Sequence, residues 1–170
     1  DESLRAKGNR LVGILNGIGE EWDPATDSYL PKPFGPDSIH RKQASTEALR
    51  ARLGLRERPV VPIAGIVSRL TGQKGFDLLR HTLPPLLDSH RIQLAVIGTG
   101  EPVYEAMFSA FAERHPGEAA YVKDFDPEMA HLIEAGSEIF LMPSQFEPSG
   151  LNQMYSMRYG TPPVVRLTGG

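Results

Sequence analysis

The chain has 170 residues, 40% of them apolar and 23% charged, a net charge of −3 and no cysteine. That length fits a single domain, 1–170, with apolar content enough for a core, while the mixed, slightly acidic charge argues against a nucleic-acid surface. Absence of cysteine excludes a disulfide framework, a thiolate nucleophile and a zinc knuckle, and no apolar run approaches the ~20 residues of a membrane span. Asp1–Arg5 also lacks the basic-then-apolar pattern of a signal peptide. The chain starts without Met and stops at Gly169-Gly170, and it reads as an excised piece.

Leu11–Leu15 is a short apolar run closed by the turn dipeptide Asn16-Gly17, which predicts a strand entering a loop. Gly19 to Ser38, rich in Pro, Gly and Asp, predicts an ordered surface excursion with no element of its own, of the length that is usually functional or flexible. Ala44, Ala48, Leu49 and Leu53 recur at helical spacing before a closing Gly54. Strands and helices then alternate. Val60 to Val67 and Ile92 to Ile97 read as strands, with a helical face of Phe76, Leu79, Leu83, Leu86 and Leu87 between them. Pro84-Pro85 predicts a kink or an early end in that helix. Pro102 opens a helix marked by Val103, Met107 and Phe111; Ala119 to Val122 is a strand; Asp126-Pro127 starts a further helix that stops at Gly136. Ile139 to Met142 is a last strand before an apolar-periodic helix from Leu151. The alternation predicts βαβ units and an α/β fold with a doubly wound parallel sheet.

Ligands of such sheets bind outside the carboxyl ends of the strands. Ser68 to Gly75 places Arg69, Lys74 and two glycines in a loop running into a helix start, which suits a diphosphate; a solvated basic turn is the plain alternative. Gly98-Thr99-Gly100 begins like a dinucleotide fingerprint but has Val103 where the third glycine belongs, so a tight turn accounts for it. Phe125, at a strand end, is either core or a platform for a nucleobase. Glu147 sits in a strand-to-helix turn, as a capping carboxylate or as a ligand group beside free backbone N–H groups. The five histidines lack metal-ligand spacing and read as surface residues.

Taken together, Gly13–Ile18, Ser68-Arg69-Leu70 with Gln73-Lys74-Gly75, Phe146-Glu147-Pro148 with Gly150-Leu151, Tyr159-Gly160-Thr161 and the closing Val165–Gly170 resemble the carboxyl-terminal half of bacterial-type glycogen synthase and plant starch synthase. The resemblance implies a retaining glucosyltransferase of GT-B architecture, with this chain as its Rossmann-like donor-binding domain, and an acceptor domain lying elsewhere. It implies transfer of glucose from ADP-glucose or UDP-glucose to the non-reducing end of an α-1,4-glucan, in a bacterial cytoplasm, without metal or cofactor. The isolated 170-residue chain is then expected to be inactive.

Carried over residue by residue, the resemblance gives Arg69 and Lys74 the diphosphate, Phe125 the base, and Glu147 the donor glucose. Ser149, Gly150, Leu151, Asn152, Thr168 and Gly169 complete the donor-binding set. Ser149 stands where many members have cysteine and Asn152 where some have threonine. Gly19 replaces an aspartate, and Tyr155 stands where more distant relatives place a second glutamate. Other GT-B enzymes (sucrose- or trehalose-type synthases, epimerases) and a non-catalytic nucleotide-sugar module share the fold, since fold does not fix function.

Overall fold

The computed structural model describes residues 2–169. Five parallel strands form one sheet in the order β3-β2-β1-β4-β5: β1 Ile63–Val67, β2 Gln93–Ile97, β3 Ala119–Val122, β4 Ile139–Met142 and β5 Pro163–Val165. The helices are α1 Glu2–Arg5, α2 Gln43–Leu53, α3 Leu79–Asp88, α4 Pro102–Arg114, α5 Pro127–Gly136 and α6 Leu151–Arg158. β1 is paired on both sides, with β2 in full register and with β4 through Ala64 and Gly65. Strand order therefore reverses between β1 and β4, the switch point at whose carboxyl end open α/β sheets bind their ligands.

Alternate strand residues face opposite sides. Ala64, Ile66, Leu94 and Val96 pack under α3 and α4 in a core with Phe76, Leu83, Phe108 and Phe111. Ile63, Ala95 and Ile97 point the other way, against Leu49 of α2 and Met129, Leu132 and Ile133 of α5. Both faces are covered, as the apolar strands require. The stripe predicted for α4 is rotated: Tyr104, Met107, Phe108 and Phe111 are buried, and Val103 is half exposed.

Several sequence expectations are corrected. Leu11–Leu15 is not a strand but irregular, largely exposed chain; it has no neighbouring strand among the described residues, and apolar side chains alone do not make a ladder. The Gly19–Ser38 excursion does carry structure: 3₁₀ turns at Glu20–Trp22 and from Pro36 on, and a small core of Leu30 and Phe34 with Ala135 and Tyr159. Pro84 and Pro85 sit inside α3, which runs on to Asp88. The carbonyls they leave unpaired belong to Arg80 and His81, on the exposed side, where water can satisfy them. Finally, His115 and His131 are buried, not superficial; each lies near a carboxylate, Asp88 at 3.6 Å and Asp27 at 2.8 Å.

Candidate donor site at the carboxyl edge of the sheet

The loop after β1 and the loop after β4 are stitched into one unit. Gln145 N–H donates to the Gln73 carbonyl (2.9 Å), and Gln73 Nε2 donates to the Phe146 carbonyl (2.8 Å). Gly75 makes the approach possible: its φ is +71°, and a Cβ there would lie 2.1 Å from the Pro143 carbonyl oxygen. This contact brings together Lys74 and Glu147, 73 residues apart in sequence. Lys74 Nζ lies 2.6 Å from Glu147 Oε2, and Ser144 Oγ donates to the same oxygen at 3.0 Å. Gly169, with φ +93°, packs so closely on Glu147 that a Cβ would overlap its carbonyl oxygen, while Thr168 Oγ1 donates to the Gln145 carbonyl at 3.4 Å. Thr168 and Gly169 thus lie on the Glu147 turn.

Beside this unit opens a cleft of about 320 Å³ lined by Arg69, Lys74, Phe125, Asn152 and the strand ends at Val67 and Ile97. Arg69 is exposed, and its guanidinium has no hydrogen bond or ion pair among the described residues. Phe125 is 87% exposed, so the core alternative for this ring is discarded. Asn152 spends its amide nitrogen on the Val67 carbonyl (2.6 Å), tying α6 to the end of β1 and leaving its carbonyl oxygen for a ligand. Ser149 Oγ accepts from Asn16 Nδ2 at 2.8 Å, and Gly150, in the left-handed region, sets the start of α6 at Leu151. Glu147 and the Ser149–Leu151 turn are placed next to the cleft through Lys74; they do not line it.

The Gly98–Gly100 loop is closed to a phosphate by its own neighbours. Gly100 N–H donates to Glu105 Oε1 (2.9 Å) and Gly72 N–H to Glu101 Oε1 (3.0 Å). Glu105 also pairs with Lys123 at 2.7 Å; that hydrogen bond, with the Gly100 N–H, holds its carboxyl below the usual range. Among the described residues, no group of His, Cys, Asp and Glu side chains is arranged to hold a metal ion.

Sequence reasoning missed one wall of the cleft. Trp22 is sandwiched between His131 (ring centroids 3.8 Å apart) and Tyr155 (3.9 Å), and all three line the cleft. Behind them Asp27 Oδ2 accepts from Tyr159 Oη at 2.5 Å and lies 2.8 Å from His131 Nδ1. Burial, then the Asp27 hydrogen bond, pushes the Tyr159 phenol well up. The only signal was a lone tryptophan in an excursion of the length that marks functional loops.

The model of the family described as glycosyl transferases group 1 matches residues 46–170. The chain belongs to that family. Glycogen synthase 1 of Methylococcus capsulatus is 50% identical over the whole of this chain, which spans 34% of that protein; a glycogen synthase of Anaeromyxobacter dehalogenans is also 50% identical, with 36% of its length spanned. The chain thus covers about a third of the length of these curated relatives. Among solved structures, the catalytic domain of starch synthase IV from Arabidopsis thaliana, bound to ADP and acarbose, superposes with a TM-score of 0.91 at 34% identity, over 99% of this chain and 35% of that one. The chain therefore has the α/β, Rossmann-like fold of the GT-B enzymes. No helix among its described residues is long and apolar enough to cross a membrane.

Proposed function

We propose that this chain is the donor-binding domain of a retaining glucosyltransferase that moves glucose from ADP-glucose, or UDP-glucose, to the non-reducing end of an α-1,4-glucan in a bacterial cytoplasm. The observation that carries the reading is the run of groups along one edge of the sheet: an exposed aromatic ring (Phe125), a guanidinium with no partner among the described residues (Arg69), an ammonium (Lys74) and the single carboxylate of its turn (Glu147). Their order of chemistry matches base, diphosphate and sugar. The ADP and acarbose of the starch synthase structure support a nucleotide and a glucan as ligands of this kind of domain.

In the reaction the bond between glucose C1 and the β-phosphate oxygen breaks as the acceptor hydroxyl attacks C1 from the same face, and the hydroxyl proton passes to the leaving phosphate. Arg69 and Lys74 offset the charge gathering on the diphosphate, so neither metal nor cofactor is required. Glu147 orients the glucose and stabilises positive charge at C1, a contribution larger in the transition state than in the ground state. The acceptor is held outside this chain.

The test is transfer of labelled glucose to glycogen by the full-length protein, with ADP-glucose and UDP-glucose in turn. Transfer is expected, and Glu147→Gln, which keeps the shape and removes the charge, lowers kcat by about 10²–10³-fold, the scale for one preorganised electrostatic group. Binding of the donor without any transfer would instead identify a nucleotide-sugar sensor.

A further inference from the structure

We infer that Lys74 is a cation shared between Glu147 and the donor's diphosphate, and that its hand-over from one to the other couples diphosphate binding to the release of Glu147 toward the sugar. The inference rests on the nucleotide-sugar reading above. Lys74 Nζ lies 2.6 Å from Glu147 Oε2, and the two side chains are only 19% and 14% exposed. Shielding of this degree strengthens the attraction beyond that of an open surface pair. Both contacts of the carboxylate converge on Oε2, since Ser144 Oγ donates there too, while Oε1 has no hydrogen bond or ion pair among the described residues. One oxygen is pinned and the other is presented.

An incoming diphosphate therefore meets one cation that is free, Arg69, and one whose charge is already matched, Lys74. The ammonium has three donors and can reach a phosphate while still touching Glu147. The two anions then compete for its charge. By linkage, the factor by which the diphosphate loosens the Lys74–Glu147 pair is the factor by which the Glu147 charge weakens diphosphate binding. Ser144, 2% exposed, is the positioning residue that holds Oε2 while the lysine shifts. After transfer the same competition favours departure of the nucleoside diphosphate, because Glu147 reclaims its cation.

Calorimetric titration with ADP and with adenosine, for wild type, Glu147→Gln, Lys74→Ala and the double variant, tests the hand-over. Glu147→Gln is expected to tighten ADP by about three- to tenfold, the scale of a partly exposed ion pair, and to leave adenosine unchanged. In the Lys74→Ala background the same substitution is expected to change ADP affinity by less than about twofold, the signature of a coupled pair. A Glu147→Gln protein that binds ADP no more tightly than wild type, or a gain that survives undiminished without Lys74, overturns the hand-over alone. Wild type that binds neither ADP nor UDP sinks the nucleotide reading, and the hand-over with it. Unchanged adenosine affinity in each variant shows that the site is still folded.

Discussion

Phe125 keeps 87% of its surface in water at the rim of the cleft, whereas Arg69 offers a guanidinium with no partner among the described residues. On the donor-site proposal these two groups recognise different parts of a nucleotide, so their deletions separate. Arg69→Ala is expected to weaken ADP by ~1.5–3 kcal/mol, the worth of a hydrogen bond to a charged group, and to spare adenosine. Phe125→Ala is expected to weaken ADP and adenosine alike by about 1 kcal/mol, as lost stacking does. Calorimetry with both ligands checks the pair; equal losses of adenosine and ADP on Arg69→Ala would make that residue structural. These groups were legible in the sequence because each follows a predicted strand, where a parallel sheet puts its ligands. Ser144 was not, because a serine shows its role only when Glu147 Oε2 is seen beside it.

At the scale of elements, the site depends on two loops that touch. Gly75 is the contact point, and Gly75→Ala must both hold a left-handed conformation and push its Cβ against the Pro143 carbonyl. The conformational cost alone is about 1–2 kcal/mol. A lower denaturation midpoint together with weaker ADP binding is expected, since the same displacement parts Lys74 from Glu147; an unchanged midpoint would count against this account. The alternation of strands and helices was readable from periodicity, which local sequence carries directly. The failures have a common cause in long-range contacts. Nothing near Leu11–Leu15 shows that no strand lies alongside, and nothing near His131 announces Asp27, 104 residues away. α2 is a further case: its buried side includes Arg50, bonded to Gln93 Oε1 at 2.9 Å, where an apolar stripe was predicted.

At the scale of the whole molecule, an ionisable cluster joins α5 to the segments before α2 and before β5. Glu134 is fully buried, neither of its carboxylate oxygens has a hydrogen bond among the described residues, and burial raises its carboxyl well above the usual range against the pull of Lys42. Lys42 Nζ is held by the Ala135 carbonyl (2.5 Å) and Thr161 Oγ1 (2.7 Å), and burial lowers it to about 8 although Glu138 and Glu134 oppose the shift. For Glu134 the folded state keeps the proton longer than the unfolded state, so its contribution is complete below pH 4.5 and lost as pH rises through the raised value. Lys42 has the opposite sign: below about pH 8 it is charged in both states, and its burial penalty eases only as pH climbs from there toward 10.5. Glu134→Gln fixes the neutral form. Its melting temperature is expected to match wild type near pH 4 and to exceed it increasingly toward neutrality; parallel pH profiles for the two proteins would refute the burial of an unpaired carboxyl.

The sandwich of Trp22 between His131 and Tyr155 has an optical consequence. Trp22 is the only tryptophan in the sequence, so all indole emission arises from a ring wedged between an imidazole and a phenol in the wall of the cleft. Contact with those neighbours quenches and shifts that emission, and any ligand that parts the rings or dries the wall alters it. The molecule thus carries its own fluorophore in the wall of the proposed donor cleft, and occupancy of that cleft can be followed by light, with no label attached.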